Sequence, residues 1–418
     1  MPPPLSISTR RLAAAPALAS LAIALLVFHG PVLEAATLAE AVTAALQVQQ
    51  QEPRVGALRQ EQAAVDRQAS GLLAADPALR AKTLNDALTG DDGAYELEAM
   101  VDLPLWMPGQ RAAGRTVAQA LGEQAGALGR YLRWEAAGKV REAAWEAAIA
   151  QGRLRQAGAA LESARALERD IAKRTEAGEL ARVDLLVAQQ DTLAREVDLQ
   201  AAQIEYDRAI HGYIHLTGLP ALPEPLREGA PANLPDEPEL PPGHPLLTNS
   251  AGAVAEARAE RDRARSARRG NPTLSLGAKQ ARAARGEPSD TALQLEVSIP
   301  FGLAGQAAPA LARAERTYTD RVAEQSLTRV EAEHALHEAR LGVLGAADAL
   351  AVAERRQTLT QEALGLVRRA FDLGESDLTT LLAAQERARQ SSLDLEVRRL
   401  EQGRATARLN QALGVVPE

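Results

Sequence analysis

Val101-Asp102-Leu103-Pro104, followed by Gly109-Gln110, returns 196 residues later as Val297-Ser298-Ile299-Pro300, followed by Gly305-Gln306. The same offset carries Gly178-Glu179, with Leu185-Leu186 and Ala188-Gln189 behind it, onto Gly374-Glu375, with Leu381-Leu382 and Ala384-Gln385. It also carries Gly218 onto Gly414. Three landmarks at one offset mean two related halves, and a period this long is a duplicated large unit rather than a short-repeat solenoid.

Reading outward from the quoted stretch, Tyr95, Leu97, Ala99, Val101, Leu103 and Leu105 alternate with Glu96, Glu98, Met100, Asp102 and Pro104. In the second half Leu293, Leu295, Val297, Ile299 and Phe301 alternate with Gln294, Glu296, Ser298 and Pro300. A period of two with one apolar face predicts strands. Partner strands are expected from Pro77 to about Leu88 and from Pro272 to about Ala283. Their turns are Thr89-Gly90-Asp91-Asp92-Gly93 and Gly286-Glu287-Pro288-Ser289-Asp290.

A helix precedes each strand pair, Pro53 to about Ala75 and Pro245 to about Arg269, with Asp76-Pro77 and Asn271-Pro272 read as the stops. After each pair the chain is free of proline, from Pro108 to Pro220 and from Pro309 to Pro417. A single helix from Gln110 to Arg174 would reach roughly 100 Å. Val183, Val187, Ala194, Val197, Ala201 and Ile204 lie on a seven-residue seam, which predicts coiled-coil packing on neighbouring helices. Gly178 and Gly374 are read as the turns that fold each long helix back.

The fold class is therefore mainly α with a small β part, built as a duplicated helix, β-hairpin and long helical hairpin. The expected divisions are residues 1–36 as a signal peptide, 37–220 as the first repeat, 221–244 as a Pro-rich linker and 245–418 as the second repeat. Within them the hairpins are expected at about 77–105 and 272–301, and the helical hairpins at about 109–218 and 305–414. The signal peptide reading rests on Arg10 and Arg11, the apolar run Leu12 to Phe28, and the small residues in Leu33-Glu34-Ala35-Ala36. No later segment reaches the ~18 apolar residues of a membrane helix, so a membrane would have to be crossed by strands.

Composition agrees with extended helices: aromatics make up 3% of the chain, while Ala and Leu, which are cheap to hold in a helix, dominate long stretches. The net charge of −8 and the lack of a basic cluster along the sequence argue against a nucleic-acid surface. With no cysteine there is no disulfide, thiolate metal site, cysteine nucleophile or lipid anchor through cysteine. Four strands with one lipid-facing side cannot stand alone in hydrocarbon, because open edges leave backbone groups unsatisfied. Closure by several chains, each giving four strands, is the simplest solution.

The chain resembles the TolC family of outer-membrane efflux proteins, from about Thr37 to Val416. The resemblance is carried by Arg174-Thr175-Glu176-Ala177-Gly178-Glu179-Leu180 with Asp184-Leu185-Leu186, and by Leu373-Gly374-Glu375-Ser376-Asp377-Leu378 with Leu381-Leu382-Ala383-Ala384-Gln385. It implies a homotrimer with a twelve-stranded β-barrel in the outer membrane, continued by a periplasmic α-helical barrel. It further implies a passive exit duct in outer-membrane lipid, joined to an inner-membrane pump by a periplasmic adaptor protein, with drugs, metal ions and polypeptides all open as cargo. Gly178, Glu179, Leu180, Asp184, Gly374, Glu375, Ser376 and Asp377 are the expected adaptor-docking tips. Asp184, Thr380 and Ala383 occupy the aperture positions, where relatives often carry acids at the places of Thr380 and Ala383. The first turn holds Glu176, Glu179 and Asp184 against Arg182, and the second Asp372, Glu375 and Asp377 with no compensating base, which suggests a cation-preferring mouth.

Other chemistry is weakly supported. His211 and His215 are four apart, and His334 and His337 three apart, but helix-terminus and solvated-face readings fit both pairs better than a metal site. No phosphate loop, nucleophile elbow or dinucleotide fingerprint occurs, so no enzyme, cofactor or metal is expected. Two other classes compete with a channel. A periplasmic adaptor would carry one helical hairpin between separate β modules, and a structural coiled coil would lack the alternating strands.

Overall fold

The computed structural model describes residues 36–88, 90, 92–229, 239–301 and 305–417. The proposed signal peptide, apart from Ala36, and the middle of the Pro-rich linker lie outside them. The chain orders as α1 (Leu38–Val48), α2 (Glu52–Ser70), β1 (Ala78–Asn85), β2 (Tyr95–Pro104), α3 (Gln110–Glu176), α4 (Arg182–Thr217), α5 (Pro245–Ser266), β3 (Thr273–Arg282), β4 (Asp290–Ser298), α6 (Ala308–Asp372) and α7 (Leu378–Ala412). A short 3-10 turn, Ala267–Arg269, follows α5.

The molecule is mostly helical with one four-stranded antiparallel sheet, ordered β1-β2-β3-β4. α3 runs 67 residues and α6 65, each about 100 Å long. Their return helices α4 and α7 have only 36 and 35 residues, so each hairpin is lopsided. The missing length comes from elsewhere. α4 and α2 both pack along α3, while α7 and α5 both pack on α3 and α6. Nearest the sheet the order across the wall is therefore α2-α3-α5-α6, and farthest from it α4-α3-α7-α6. α3 and α6 run through both levels.

The joint between levels is held by side chains from distant segments. Thr37 and Glu40 form a capping box (Thr37 N to Glu40 Oε2 2.7 Å, Glu40 N to Thr37 Oγ1 3.2 Å) that starts α1. That helix buries Leu38, Val42 and Leu46 against Leu132 and Val140 of α3 and Tyr213 of α4. Where α7 ends and α5 begins, buried His244 accepts the Leu246 N–H at Nδ1 (3.2 Å), so its ring proton sits on Nε2, 3.2 Å from the Ala412 carbonyl. Arg141, 3% exposed, donates to Glu228 through Nε (2.8 Å) and Nη2 (2.6 Å), and through Nη1 to Gln411 Oε1 (2.6 Å) and the Val415 carbonyl (3.0 Å).

α2 ends at Ser70, short of the Asp76-Pro77 stop expected from sequence. Its last carbonyls find partners on the following elements: Arg111 donates to the Ala69 and Ser70 carbonyls (3.2 and 3.0 Å), and Trp106 Nε1 to the Gly71 carbonyl (3.0 Å). With those groups satisfied from outside, the helix gains little by continuing to the proline.

Candidate functional site

The sheet has one apolar and one charged face. The register lines up Leu79, Val101, Leu276 and Leu295 across all four strands, and Ala81, Ala99, Ala278 and Leu293 in the next row of the same face. This face is open to its surroundings: Leu79, Leu293 and Leu295 are 79%, 93% and 67% exposed. The opposite face carries an ionic lattice. Lys279 meets Glu96 (2.8 Å) and Glu98 (3.8 Å), and Lys82 also reaches Glu98 (3.9 Å).

One contact on that face reports curvature. Arg80, on edge strand β1, lies 3.1 Å from Asp102 on β2, 3.2 Å from Ser275 on β3 and 3.5 Å from Glu296 on the far edge strand β4. In a flat sheet the two edges would stand roughly 14 Å apart, three strand spacings. An arginine and a glutamate side chain together can span that width, so the curl is carried by burial as well: Met100 and Ser275 on the charged face are each 2% exposed, while Leu79 and Leu293 stand open on the other. The charged face is therefore concave and the apolar face convex. Buried Met100 lies against Gly277 on this concave side, where a Cβ would overlap the Ala99 carbonyl and the Met100 side chain. β1 and β4 leave their outer edges unpaired among the described residues.

At the opposite end of the molecule both long helices turn back through a glycine with positive φ, Gly178 (+79°) and Gly374 (+74°). In each turn the next N–H reaches back to close the helix, Glu179 to the Arg174 carbonyl and Glu375 to the Ala370 carbonyl, both 2.8 Å. Asp377 caps α7 by accepting the Thr380 N–H (2.6 Å), and that bond chiefly holds its carboxyl below the usual aspartate value. Asp184 accepts the Ala181 N–H (3.2 Å) at the start of α4. The two turns are brought side by side by a shared core of Ile171, Ala188, Phe371, Leu378 and Leu381, flanked by Leu180 and Leu185. Gly178, Glu179, Gly374, Glu375 and Asp377 are exposed at this end, Leu180, Asp184 and Ser376 half-buried. Thr380 and Ala383, three residues apart on α7, are both exposed, while Leu381 between them is buried.

One expectation is corrected here. Asp372 does have a compensating base, because Arg174 of the first turn reaches it (3.2 Å) as well as Asp170 (3.1 Å), and lies 5.5 Å over the Phe371 ring. The pairing joins residues 198 positions apart, so only the side-by-side turns reveal it. Farther up, Arg195 of α4 bridges to Glu386 of α7 (3.4 Å), whose carboxyl is lowered mainly by Arg389. His211, His215, His334 and His337 are all solvent-exposed.

The two helices at the sides of the wall expose apolar seams. On α4 the seam is Val183, Leu186, Leu193, Val197 and Ile204; on α6, Val352, Leu359 and Leu366 recur at intervals of seven below Leu341 and Leu344. The α6 seam was overlooked in the sequence, although its spacing was available there. The Arg141–Glu228 clamp and the His244 joint were also missed, since no local pattern links their members.

No family model and no curated protein matches the chain by sequence. Solved structures match its shape. The outer membrane protein VceC from Vibrio cholerae superposes with a TM-score of 0.69 at 18% identity, covering 91% of this chain and 97% of that one. The outer-membrane channel OprN gives 0.68 at 19% identity, covering 90% and 89%. The MtrE outer membrane channel of Neisseria gonorrhoeae, in its open state, gives 0.66 at 17% identity, covering 90% and 89%. The chain thus has the fold of a class of outer-membrane channel proteins, which is the fold the TolC-like turn motifs imply. At these identities the likeness speaks for the fold.

Proposed function

We propose that this protein is the outer-membrane exit duct of a tripartite efflux or secretion system, working as a homotrimer. The observation that carries the proposal is the sheet: curled, charged within, apolar without, open at both edges, and continuous with helices about 100 Å long. A convex apolar face suits lipid, a concave ionic face suits a water-filled lumen, and unpaired edges cannot remain in hydrocarbon. Three copies contributing four strands each would close a twelve-stranded barrel, and their helical walls would continue it as a tunnel in the periplasm. The likeness to VceC, OprN and MtrE supports this reading.

The duct itself is passive. Transport would be driven by an inner-membrane pump, reached through a periplasmic adaptor docked at the Gly178 and Gly374 turns, with Asp184, Thr380 and Ala383 near the aperture. The decisive test is fractionation followed by electrophoresis with and without heating. An outer-membrane species that resists dissociation until boiled, and that forms discrete conductance steps in planar bilayers, is the expected result. A mature chain found wholly in the soluble periplasm, monomeric and without conductance, overturns the reading.

A further inference from the structure

The net charge of −8 conceals a strong polarity along the sheet axis. Consider the nine residues nearest the sheet in each of α2, α3, α5 and α6, with the segments joining them to the strands. They hold eleven arginines against five carboxylates. The two turns at the other end of the sheet, residues 86–94 and 283–289, hold four carboxylates against one arginine. Six of the eleven lie within residues 258–269, so the expectation that the sequence holds no basic cluster is corrected here; the other five come from α2, α3 and α6. Folding gathers them at one level.

Six of these arginines, Arg67, Arg115, Arg258, Arg268, Arg269 and Arg316, are exposed and make no ion pair among the described residues. Intramolecular pairing accounts for others: Arg261 with Asp262, Arg263 with Glu260 and Arg265 with Glu315, each at 2.8 Å. The Arg268-Arg269 end of this group adjoins the apolar face. Gly270, next to Arg269, lies against Pro300, and the neighbours of Pro300, Ile299 and Phe301, are 64% and 97% exposed. Leu72 adds a further exposed anchor at this level.

An apolar band bordered on one side only by unneutralised guanidinium groups matches one environment, a hydrocarbon slab whose near surface bears phosphate. We infer that this collar binds the headgroups of anionic phospholipids, such as phosphatidylglycerol, in the leaflet that meets the helical end of the barrel. The inference rests on the channel reading above. Guanidinium suits the role because it stays charged and can grip phosphate oxygens in pairs. A nucleic acid is a poor occupant, since its backbone would have to lie beside the exposed leucines and Phe301.

The test uses the full mature chain reconstituted in vesicles that contain spin-labelled phosphatidylcholine or phosphatidylglycerol. The motionally restricted fraction of each label reports lipid held at the protein surface. A single arginine near an anionic surface is worth about fivefold in association, so several-fold selectivity for phosphatidylglycerol is expected from the wild type. Selectivity should fall towards one in the Arg268→Gln/Arg269→Gln/Arg316→Gln variant, and in the wild type as salt is raised. Equal restriction of both lipids by the wild type overturns the collar and leaves the barrel standing. Selectivity that survives both the substitutions and salt overturns it too. No restricted lipid of either kind would overturn the channel reading and the collar with it. If the variant fails to insert, the wild-type salt series decides alone.

Discussion

Replacing Glu228 by Gln should loosen the joint between the two levels of the helical wall, and the structure sets the size of the effect. The Arg141 side chain is 4% exposed and that of Glu228 15%, so neither is well solvated. Four guanidinium N–H groups are committed: two to the carboxylate, one to Gln411 Oε1 and one to the Val415 carbonyl. Arginine does not shed its proton in a protein, so the substitution leaves a buried cation facing a neutral amide. Removing one partner of such a pair costs about 3–5 kcal/mol. Replacing both, as Arg141→Met with Glu228→Met, removes the stranded charge. It frees only Gln411 Oε1, the Val415 carbonyl and an Asn410 N–H, at a chain end where water can reach some of them, for a loss of about 1–2 kcal/mol.

Hydrogen exchange read by mass spectrometry in the segments 222–229 and 409–417 is the suitable assay, because the loss is local before it is global. Exchange there should quicken by about a hundredfold or more in Glu228→Gln and by much less in the double variant. The coupling between the two substitutions should thus be large and favourable to the pair. Unchanged exchange in Glu228→Gln, or a double variant as loose as the two single losses added together, would show that the guanidinium is solvated and that the clamp holds nothing.

Three further outcomes are expected. His244 is pushed below its ordinary value by burial, and protonating Nδ1 would break its bond from Leu246, so the stability it lends is present above pH about 6.5 and lost as the pH falls below that; thermal midpoints should drop less between pH 7 and 5.5 in His244→Asn, and an equal drop refutes the assignment. Val197→Glu with Ile204→Glu places charge on the exposed α4 seam and should leave a folded but dissociated chain by light scattering, whereas an intact oligomer would mean that the seam faces solvent. Neutralising Glu179, Glu375 and Asp377 together should reduce cation-over-anion permeability in planar bilayers, most visibly at low salt, and an unmoved reversal potential rejects the charged mouth.

The strands, the turns and the long helices were legible because each is written in local terms. Alternation from Tyr95 to Leu105 needs only a period of two, and Gly178 and Gly374 mark the positive φ that ends each long helix. What could not be read is the order across the wall. α3 is Ala-rich on nearly every side and buries residues on several faces, so no single stripe names its five helical neighbours. The lopsided hairpins were hidden for a related reason. The helix that completes α4 is α2, which comes earlier in the chain, and stacking of that kind leaves no periodic trace. At the turns the glycines were legible, but their side-by-side placement was not, because the shared core joins Ile171 and Ala188 of one repeat to Phe371, Leu378 and Leu381 of the other.

The duplication also explains how copies of this chain could meet. α2 leads into β1, so the α2/α4 side of the wall and the β1 edge of the sheet fall on the same flank. β4 leads into α6, which puts the other sheet edge and the other side of the wall on the opposite flank. α6 has 65 residues, yet among those described only Ala332, Leu336, Ala353 and Phe371 are buried, so the helix lacks a neighbour along much of its length. One flank therefore offers a strand edge and the α4 seam, and the other offers a strand edge and the α6 seam. A single rotation that set β1 of one copy beside β4 of the next would satisfy both levels together. Such an interface is heterologous, and it must close into a ring or run on as a filament. The curl recorded by Arg80 is what favours closure in the proposed trimer, and it does so with the charged face inward.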